Sequence, residues 1–420
     1  MLYTRKVLSI IIAAVVFMAI SFTNYVYAQG TWIHPFFEIR GKYDDNIFLT
    51  RDNEEDDWIT TVSPGFVIEP RLNKHKFTCD YRADLRFFAD HDDENSYNHS
   101  SYADLELDFN KFRFNLSNMF RHFSDRDSLS REDINKSATT EDFYYSYGRD
   151  RLGTDDISRI PRTQDYATAI LTLPYNKLDL AFRGSYGIEK YHSSNAIGSF
   201  KGQSLTYKDL ERDEYEGEVE VALKLWPKTA LLFSGIYGEV DHDTGKKGDS
   251  SYFDLLVGLR GEPTAKCAVE AKIGYRDQDY KDYDDDFESL VFNGSLMQIF
   301  TPRDVLRINF LRTTNDTTYK ENAYYKVTYI IVGFVHGFTD RFFGNLDFTY
   351  ENDRYPSATT EAGKTAKRKD DFWSAGIGFS YKMVKWFVFD VQYEFRTRDC
   401  NFPTLDYENN RVSIGLRGNF

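Results

Sequence analysis

The carboxyl-terminal stretch places the strongest constraint on what this chain can fold into. Counted back from the end, every second residue is apolar or glycine, and the residues between them are mostly polar or charged. The first set is Phe420, Gly418, Leu416, Ile414 and Val412, and the second is Asn419, Arg417, Gly415, Ser413 and Arg411. A period of two is that of an extended strand, whose side chains point alternately to opposite faces. A strand with one apolar and one charged face suits a position between lipid and a water-filled lumen.

The same alternation recurs along the chain. Residues 77–87, 181–188, 215–225 and 387–396 show it over about the length that a tilted membrane-crossing strand needs. Tight turns rich in Pro, Asn, Gly and Asp alternate with longer polar loops. The longer loops lie near residues 44–57, 89–97, 124–162, 190–212, 241–250, 279–286, 315–321, 353–369 and 398–405. We therefore predict an all-β protein, a transmembrane antiparallel β-barrel with short periplasmic turns and long extracellular loops.

Counting the crossings predicts about 18 strands, within a range of 16 to 20. The predicted strands are 35–43, 57–69, 75–88, 98–109, 112–123, 163–173, 177–189, 213–225, 228–240, 251–262, 266–278, 287–300, 303–314, 322–336, 340–350, 370–382, 385–397 and 406–420. An even number of strands puts both ends of the barrel sequence on the side of the short turns.

The amino-terminal segment predicts a secretory signal peptide over residues 1–28, followed by a single barrel domain over residues 29–420. Two basic residues, Arg5 and Lys6, precede an apolar run over residues 7–20, and a small residue, Ala28, closes the segment. The run is short of the roughly 20 residues that a spanning helix needs, which favours a cleaved signal over an anchor. The expected location is the cell outer membrane.

Composition excludes some classes of function. The chain has 52 Lys and Arg and 66 Asp and Glu, so removal of the two basic residues of the signal segment leaves a net charge of −16. This charge argues against nucleic acid as a partner. The aromatic content of 17% suits a barrel with aromatic girdles. Three cysteines, Cys79, Cys267 and Cys400, give neither a disulfide framework nor a metal-binding spacing.

The polar residues that alternate with the apolar ones are predicted to line the lumen. A barrel of about 18 strands leaves an aqueous lumen unless something fills it. The lumen-lining candidates are Arg82, Asp84, Arg86, Arg113, Arg121, Arg183, Glu216, Glu218, Glu220, Lys224, Glu270, Lys272, Arg307, Asp347, Asp390, Glu394 and Arg396. They form either a solvated inner wall or a conduit that makes weak, multiple contacts with a hydroxyl-rich or charged polymer. The longest loop, 124–162, is the candidate gate, with a surface loop as the alternative.

Two segments near the amino terminus carry a family resemblance. Tyr43-Asp44-Asp45-Asn46-Ile47-Phe48-Leu49 is followed by Asp57-Trp58-Ile59-Thr60-Thr61-Val62-Ser63-Pro64-Gly65-Phe66. These segments resemble the opening of the β-barrel porins that accompany exopolysaccharide synthesis and export systems in Gram-negative bacteria. The resemblance implies an integral outer-membrane protein and an outer-membrane conduit for an exported polysaccharide. The implied partners are outer-membrane lipid and lipopolysaccharide, the polysaccharide and a periplasmic export protein.

The carboxyl end resembles the assembly signal of bacterial outer-membrane barrels, whose last strand commonly ends in Phe. The resemblance implies that Ser413, Gly415 and Phe420 are read by the barrel assembly machinery. Gly418 departs from that pattern, which prefers a hydrophobic residue two positions before the end.

Other classes of barrel and of function share some of these sequence features. A general diffusion porin and a non-conducting structural or adhesive surface barrel both remain open. A TonB-dependent transporter needs a plug domain, and the strands begin too early in the chain to leave room for one. The sequence has neither a Gly-x-Ser-x-Gly elbow nor a His-Glu-x-x-His motif, so we predict no enzyme and no cofactor. The acidic loops 44–57 and 279–286 lack the order of a calcium-binding EF-hand loop; they are solvated loops, or bind divalent cations that bridge to lipopolysaccharide.

Overall fold

A computed structural model describes residues 32–70, 73–124, 160–200, 203–281, 286–317, 322–361 and 363–420. The predicted signal peptide and nearly all of the predicted gate segment 124–162 lie outside the described residues.

The described residues form one closed antiparallel barrel of 18 strands, which confirms the predicted fold class and strand number. The barrel strands are β1 (Ile33–Asp44), β2 (Asp57–Ile68), β3 (Lys76–Phe88), β4 (Ser96–Asp108), β5 (Arg113–Phe123), β6 (Arg162–Pro174), β7 (Leu178–Tyr191), β10 (Arg212–Trp226), β11 (Thr229–His242), β12 (Ser250–Thr264), β13 (Cys267–Tyr280), β14 (Phe287–Thr301), β15 (Asp304–Asp316), β16 (Tyr324–Gly337), β17 (Phe342–Glu361), β18 (Lys364–Val384), β19 (Phe387–Cys400) and β20 (Tyr407–Asn419). A small separate hairpin, β8 (Ala196–Phe200) and β9 (Gln203–Thr206), lies in the loop between β7 and β10. Short 3₁₀ turns span Asp92–Glu94, Tyr207–Leu210 and Pro403–Leu405.

Each barrel strand pairs with its neighbours in the chain, and β7 pairs with β10 across the small hairpin. Tight turns join the strands at one end of the barrel. The turn between β4 and β5 shows why its residues suit it, because Asn110 adopts a φ of 65°, which Asn tolerates better than most residues. Within the part of the chain that the model describes, no helix is long and apolar enough to cross a membrane.

The prediction of a loop at residues 353–369 is wrong. Strands β17 and β18 continue past the predicted ends and stay paired up to Glu361 and Lys364, with one irregularity in register between Arg354 and Ala358. This hairpin therefore rises above the rest of the long-loop end. Its upper part is polar on both faces, so it lacks the apolar alternation that marks a strand beside lipid.

The barrel exposes its apolar face outward. In β12 the exposed fraction alternates from 2% at Asp254 to 60% at Leu255 and 6% at Leu256. Exposed aliphatic and aromatic residues recur on the outer face of the neighbouring strands, among them Val219, Phe233 and Ile273. A continuous exposed apolar surface of this kind suits contact with lipid rather than water.

The barrel closes where β1 pairs with β20, from Phe36 opposite Asn419 to Asp44 opposite Arg411. At this seam the carboxylate of Glu38, which is only 1% exposed, lies 2.7 Å from the guanidinium of Arg40 and 2.8 Å from that of Arg417. Arg82 of β3 approaches the same carboxylate at 3.6 Å. One buried acid thus connects three strands beside the closure.

Replacing Glu38 with Gln is expected to destabilise the barrel by about 2 kcal/mol, because it removes the buried carboxylate that three half-buried guanidinium groups share, although Arg40 and Arg82 keep Asp390 and Asp84. The midpoint of denaturant-induced unfolding in lipid vesicles would measure this loss. Glu262→Gln is the matched control, since the Glu262–Lys228 pair is exposed at a turn and exposed pairs contribute little. Equal midpoints for the two variants would contradict the assigned role of Glu38.

Candidate functional site

A row of four carboxylates lies on the inner face of β10. Glu214, Glu216, Glu218 and Glu220 are each 5–7% exposed, whereas Tyr215 between them is exposed on the outer face. The alternation of β10 therefore aims all four glutamates into the barrel. Buried carboxylates of this kind require basic or hydrogen-bonding partners.

The neighbouring strands supply those partners. Glu218 lies 2.8 Å from Nη1 of Arg183 on β7 and 3.1 Å from Nζ of Lys272 on β13. Lys272 also contacts Glu220 at 2.5 Å. The lysine reaches across two intervening strands because Gly258, its direct neighbour on β12, has no side chain: a Cβ there would lie 2.9 Å from Cγ of Lys272.

The network continues along β12 and β13. Arg260 lies 2.8 Å from Glu220 and 2.5 Å from Glu270. Arg276 binds Asp254 through two parallel hydrogen bonds of 2.7 and 2.8 Å. The hydroxyl of Tyr252 donates to Glu216 at 2.5 Å.

Five of the predicted lumen-lining residues lie beside the seam of the barrel. Arg40 lies 2.7 Å from Asp390, and Arg82 lies 2.7 Å from Asp84. Ser374 donates to Glu394 at 2.9 Å, and the guanidinium of Arg396 lies 5.4 Å from the ring centre of Phe372. This second group lies on the first and last strands of the barrel. The four glutamates of β10 and their partners on β7, β12 and β13 form the first group, which we call the β10 group.

The remaining predicted residues lie outside these two groups. Lys224 pairs with Asp179 at 2.7 Å near the short turns, Asp347 accepts from Asn345 at 2.6 Å, and Arg121 packs on Phe123. The last three predicted residues lie apart from both groups. Arg86 is half-buried on β3, and Arg113 and Arg307 are exposed.

An inward hairpin end, residues 313–317 and 322–325, was not predicted. Consecutive residues are buried there, with exposed fractions of 3% at Thr313 and 8% at Thr314, and of 3% at Tyr324 and 2% at Tyr325. A wall strand exposes alternate residues, so burial of both faces shows that protein surrounds this segment on both sides. The pairing of β15 with β14 stops at Arg312, above which the hairpin departs from the wall.

One side of the inward hairpin end packs on the inner face of the wall. The ring of Tyr324 stacks on Tyr280 with centroids 5.0 Å apart and meets Phe287 edge-on at 5.7 Å. Arg276 donates to the hydroxyls of Thr313 and Thr314 at 3.1 and 3.2 Å. These contacts place the hairpin end directly above the β10 group.

The raised β17–β18 hairpin covers the other side. Tyr325 stacks on Tyr355 with centroids 5.3 Å apart, and the backbone N–H of Ser357 donates to Oδ1 of Asn322 at 2.8 Å. The inward hairpin end is thus held between two layers, and it narrows the interior at the long-loop end.

The loop over residues 243–249 adds a buried lysine beside this constriction. Lys247 is 5% exposed, and its burial lowers the pKa to about 8. Asp316 and Glu189 favour its charged form, whereas Arg212 opposes it. His242 lies in the same cluster, with Nε2 4.0 Å from Oδ2 of Asp316.

Ion pairs between loops hold residues 243–249 in position. Lys246 lies 3.1 Å from Asp209 in the β7–β10 loop, and Lys281 lies 3.3 Å from Asp249. Among the residues that the model describes, no group of three or more His, Cys, Asp and Glu side chains could hold a metal ion.

Sequence comparison identifies the class of barrel. Residues 27–420 match the model of the family described as "Putative beta-barrel porin 2". The chain belongs to this family. The porin is therefore an outer-membrane β-barrel, and its family and fold are those of non-enzymatic channels. A search of curated proteins found no match.

Similar solved structures include three outer-membrane proteins. Pseudomonas aeruginosa OpdK, in its structure with vanillate, is 10% identical, with a TM-score of 0.46, and the match covers 92% of this chain and 99% of OpdK. Acinetobacter baumannii OccAB3 gives the same identity, TM-score and coverage. Pseudomonas aeruginosa OpdO is 12% identical, with a TM-score of 0.47, over 92% of this chain and 97% of OpdO.

Docking of residues 243–249 is expected to strengthen as the pH rises from 8 to 10. The docked Lys247 has a pKa of about 8, against 10.5 when it is free, so the docked loop binds fewer protons in this interval. Trypsin cleavage after Lys246 should therefore slow in the wild type relative to Lys247→Met, by at most about tenfold per pH unit.

The ratio of the two cleavage rates at each pH removes the pH dependence of trypsin itself. A ratio that stays constant or rises with pH would show that Lys247 does not control the docking of this loop.

Proposed function

We propose that this porin is a gated outer-membrane conduit through which an exopolysaccharide leaves the cell. The observation that carries the proposal is the inner wall on β7 to β13, where buried acids and bases neutralise each other in pairs. The resemblance of residues 43–49 and 57–66 to export-associated porins supports the proposal. These residues belong to the first hairpin of the barrel, in which β1 pairs with β2.

A paired inner wall suits a hydroxyl-rich polymer. In each ion pair the carboxylate oxygens can accept further hydrogen bonds, and the basic group can donate further ones. A sugar hydroxyl can therefore bind to either partner without separating the two charges. Contacts of this kind are individually weak and numerous, as passage along a conduit requires. Under this proposal the predicted lumen-lining residues form the path, and lipopolysaccharide surrounds the extracellular rim.

The inward hairpin end serves as the barrier of the proposed conduit. Its contacts with Tyr280 and Phe287 on one side and Tyr355 on the other narrow the interior above the paired wall. The same packing supports a second candidate function, a non-conducting structural or adhesive barrel whose interior is closed by its own side chains. A general diffusion porin would need an interior that stays open.

Conductance across a planar bilayer separates these functions. Tyr324→Ala removes the stacking on Tyr280, so we expect longer or larger openings than in the wild type. Tyr275→Ala, an aromatic truncation on the outer face of the same strand as Tyr280, is the matched control and is expected to leave conductance unchanged. Heat-modifiable migration on gels would confirm that both variants fold.

Absence of conductance from both the wild type and Tyr324→Ala would reject the conduit and favour the surface barrel. A test in cells addresses the role in polysaccharide export. Deletion of the gene should trap polymer in the periplasm, and unchanged secretion would reject the export role.

We also propose that Ser413, Gly415 and Phe420 act in recognition by the barrel assembly machinery. Ser413 and Gly415 lie in β20 opposite Lys42 and Arg40, and the backbone N–H of Phe420 donates to Pro35 at 2.8 Å.

Phe420→Ala is expected to reduce the amount of folded barrel in the outer membrane several-fold, while refolding of the purified chain into lipid vesicles changes little. Equal losses in both assays would mean that Phe420 serves only stability, through stacking of its ring on Trp386. Trp386→Ala removes that stacking from the other side and is the matched control.

A further inference from the structure

We propose that a recess in the inner wall, beneath the inward hairpin end, is a binding subsite for an uncharged, hydroxyl-rich sugar unit. The recess is open to the interior and is lined among others by Arg183, Glu218, Asp254, Lys272, Arg276 and Leu311. The inference rests on the proposed function, because it names the class of polymer that would pass the site.

Three of the four basic groups that line the recess are already bound to carboxylates, which disfavours a strongly anionic ligand there. Arg183 and Lys272 are both bound to Glu218, and Arg276 is bound through two hydrogen bonds to Asp254. To bind any of these three bases, an anion would have to displace its carboxylate, and separation of a buried ion pair is costly. Arg312 is the fourth base of the lining, and Glu216 and Glu270 are two further acids, so four bases face four acids and the recess carries no net charge.

A cationic ligand meets the same obstacle from the other side. Glu218 already accepts from two bases, and Glu216 accepts from the hydroxyl of Tyr252 at 2.5 Å. An added ammonium group would compete with Lys272 for the same oxygens. An uncharged ligand leaves every pair intact, which makes it the class that costs least to admit.

The recess also has the two surfaces that a sugar ring needs. Ile236, Leu256, Val291 and Leu311 provide an apolar side for the C–H face of a pyranose. The ion pairs opposite provide fixed donors and acceptors at which hydroxyl groups bind in either role. A ligand site that combines apolar lining with a few oriented polar groups is the usual arrangement in proteins.

Equilibrium dialysis with the purified barrel in detergent tests the site without any need for conductance. The probes are labelled maltohexaose, a galacturonate hexamer and a glucosamine hexamer, each with the wild type and with Tyr324→Ala, which widens access. We expect maltohexaose to bind and the two charged hexamers to bind at least tenfold more weakly.

The double variant Glu218→Gln with Lys272→Met removes one acid and one base, so the net charge is unchanged. It should weaken maltohexaose binding about tenfold. Glu262→Gln with Lys228→Met, at an exposed turn, is the matched control and should bind as the wild type does. Heat-modifiable migration would exclude misfolding, and Lys272→Arg, which keeps the pairing, should retain binding.

Tighter binding of either charged hexamer, equal binding by the double variant, or no binding of maltohexaose to either protein would overturn the subsite. These outcomes are independent of the conductance measurement. A conducting barrel that binds no neutral sugar would reject the subsite alone, whereas a barrel that never conducts would reject the conduit.

Discussion

The structure depends on the pairing of every strand edge. In lipid an unpaired backbone N–H or C=O costs several kcal/mol, so a sheet can span the membrane only as a closed ring. The pairing of β1 with β20 completes that ring, and the alternation of side chains then fixes which residues meet lipid and which face inward. The carboxylate of Glu38, bound by Arg40 and Arg417, is placed at this closure. Charge inside the barrel is thus a consequence of the same constraint that makes its outside apolar.

Inward-facing charges must then neutralise one another where water is scarce. Glu218, Lys272 and Glu220 do so across intervening strands, which is possible because Gly258 leaves space beside the lysine. A pair held in this way is costly to break but retains polar edges. The wall on β7 to β13 is therefore charged, with its named acids and bases in pairs, and on this feature we base the proposal of an uncharged, hydroxyl-rich ligand.

The sequence predicts the parts of this barrel that lie beside lipid and fails where lipid is absent. All 18 strands were predicted, because the apolar alternation is imposed by the membrane. The prediction of a loop at residues 353–369 is wrong because the upper β17–β18 hairpin lies beyond the apolar band of the barrel, where both faces of a strand can be polar. The inward hairpin end was missed for a related reason. Thr313 and Thr314 end the predicted strand 303–314, and the burial of both, one on each face, depends on distant partners such as Arg276. The adjacent residues Tyr324 and Tyr325 put an aromatic side chain on each face of the predicted strand 322–336, which is a local sign that both faces are covered.

Two kinds of contact distinguish the barrel wall from the inward hairpin end: ion pairs within the wall, and bonds to hydroxyl groups and aromatic stacking between the wall and the hairpin end. Arg276 belongs to both, since it binds Asp254 through two charged hydrogen bonds and the threonine hydroxyls through two further ones. If the hairpin end moved away, Arg276 would lose only bonds to neutral groups and would keep its buried charge paired. Each such bond, and the stacking of Tyr324, contributes on the order of 1 kcal/mol. Loss of these contacts alone would therefore cost a few kcal/mol, and the stacking of Tyr325 on Tyr355 adds to the cost of moving the hairpin end. Separation of one of the wall's own ion pairs would cost more than the loss of one of these contacts, so the hydroxyl and aromatic contacts of the hairpin end are individually weaker than the ion pairs of the wall beneath it.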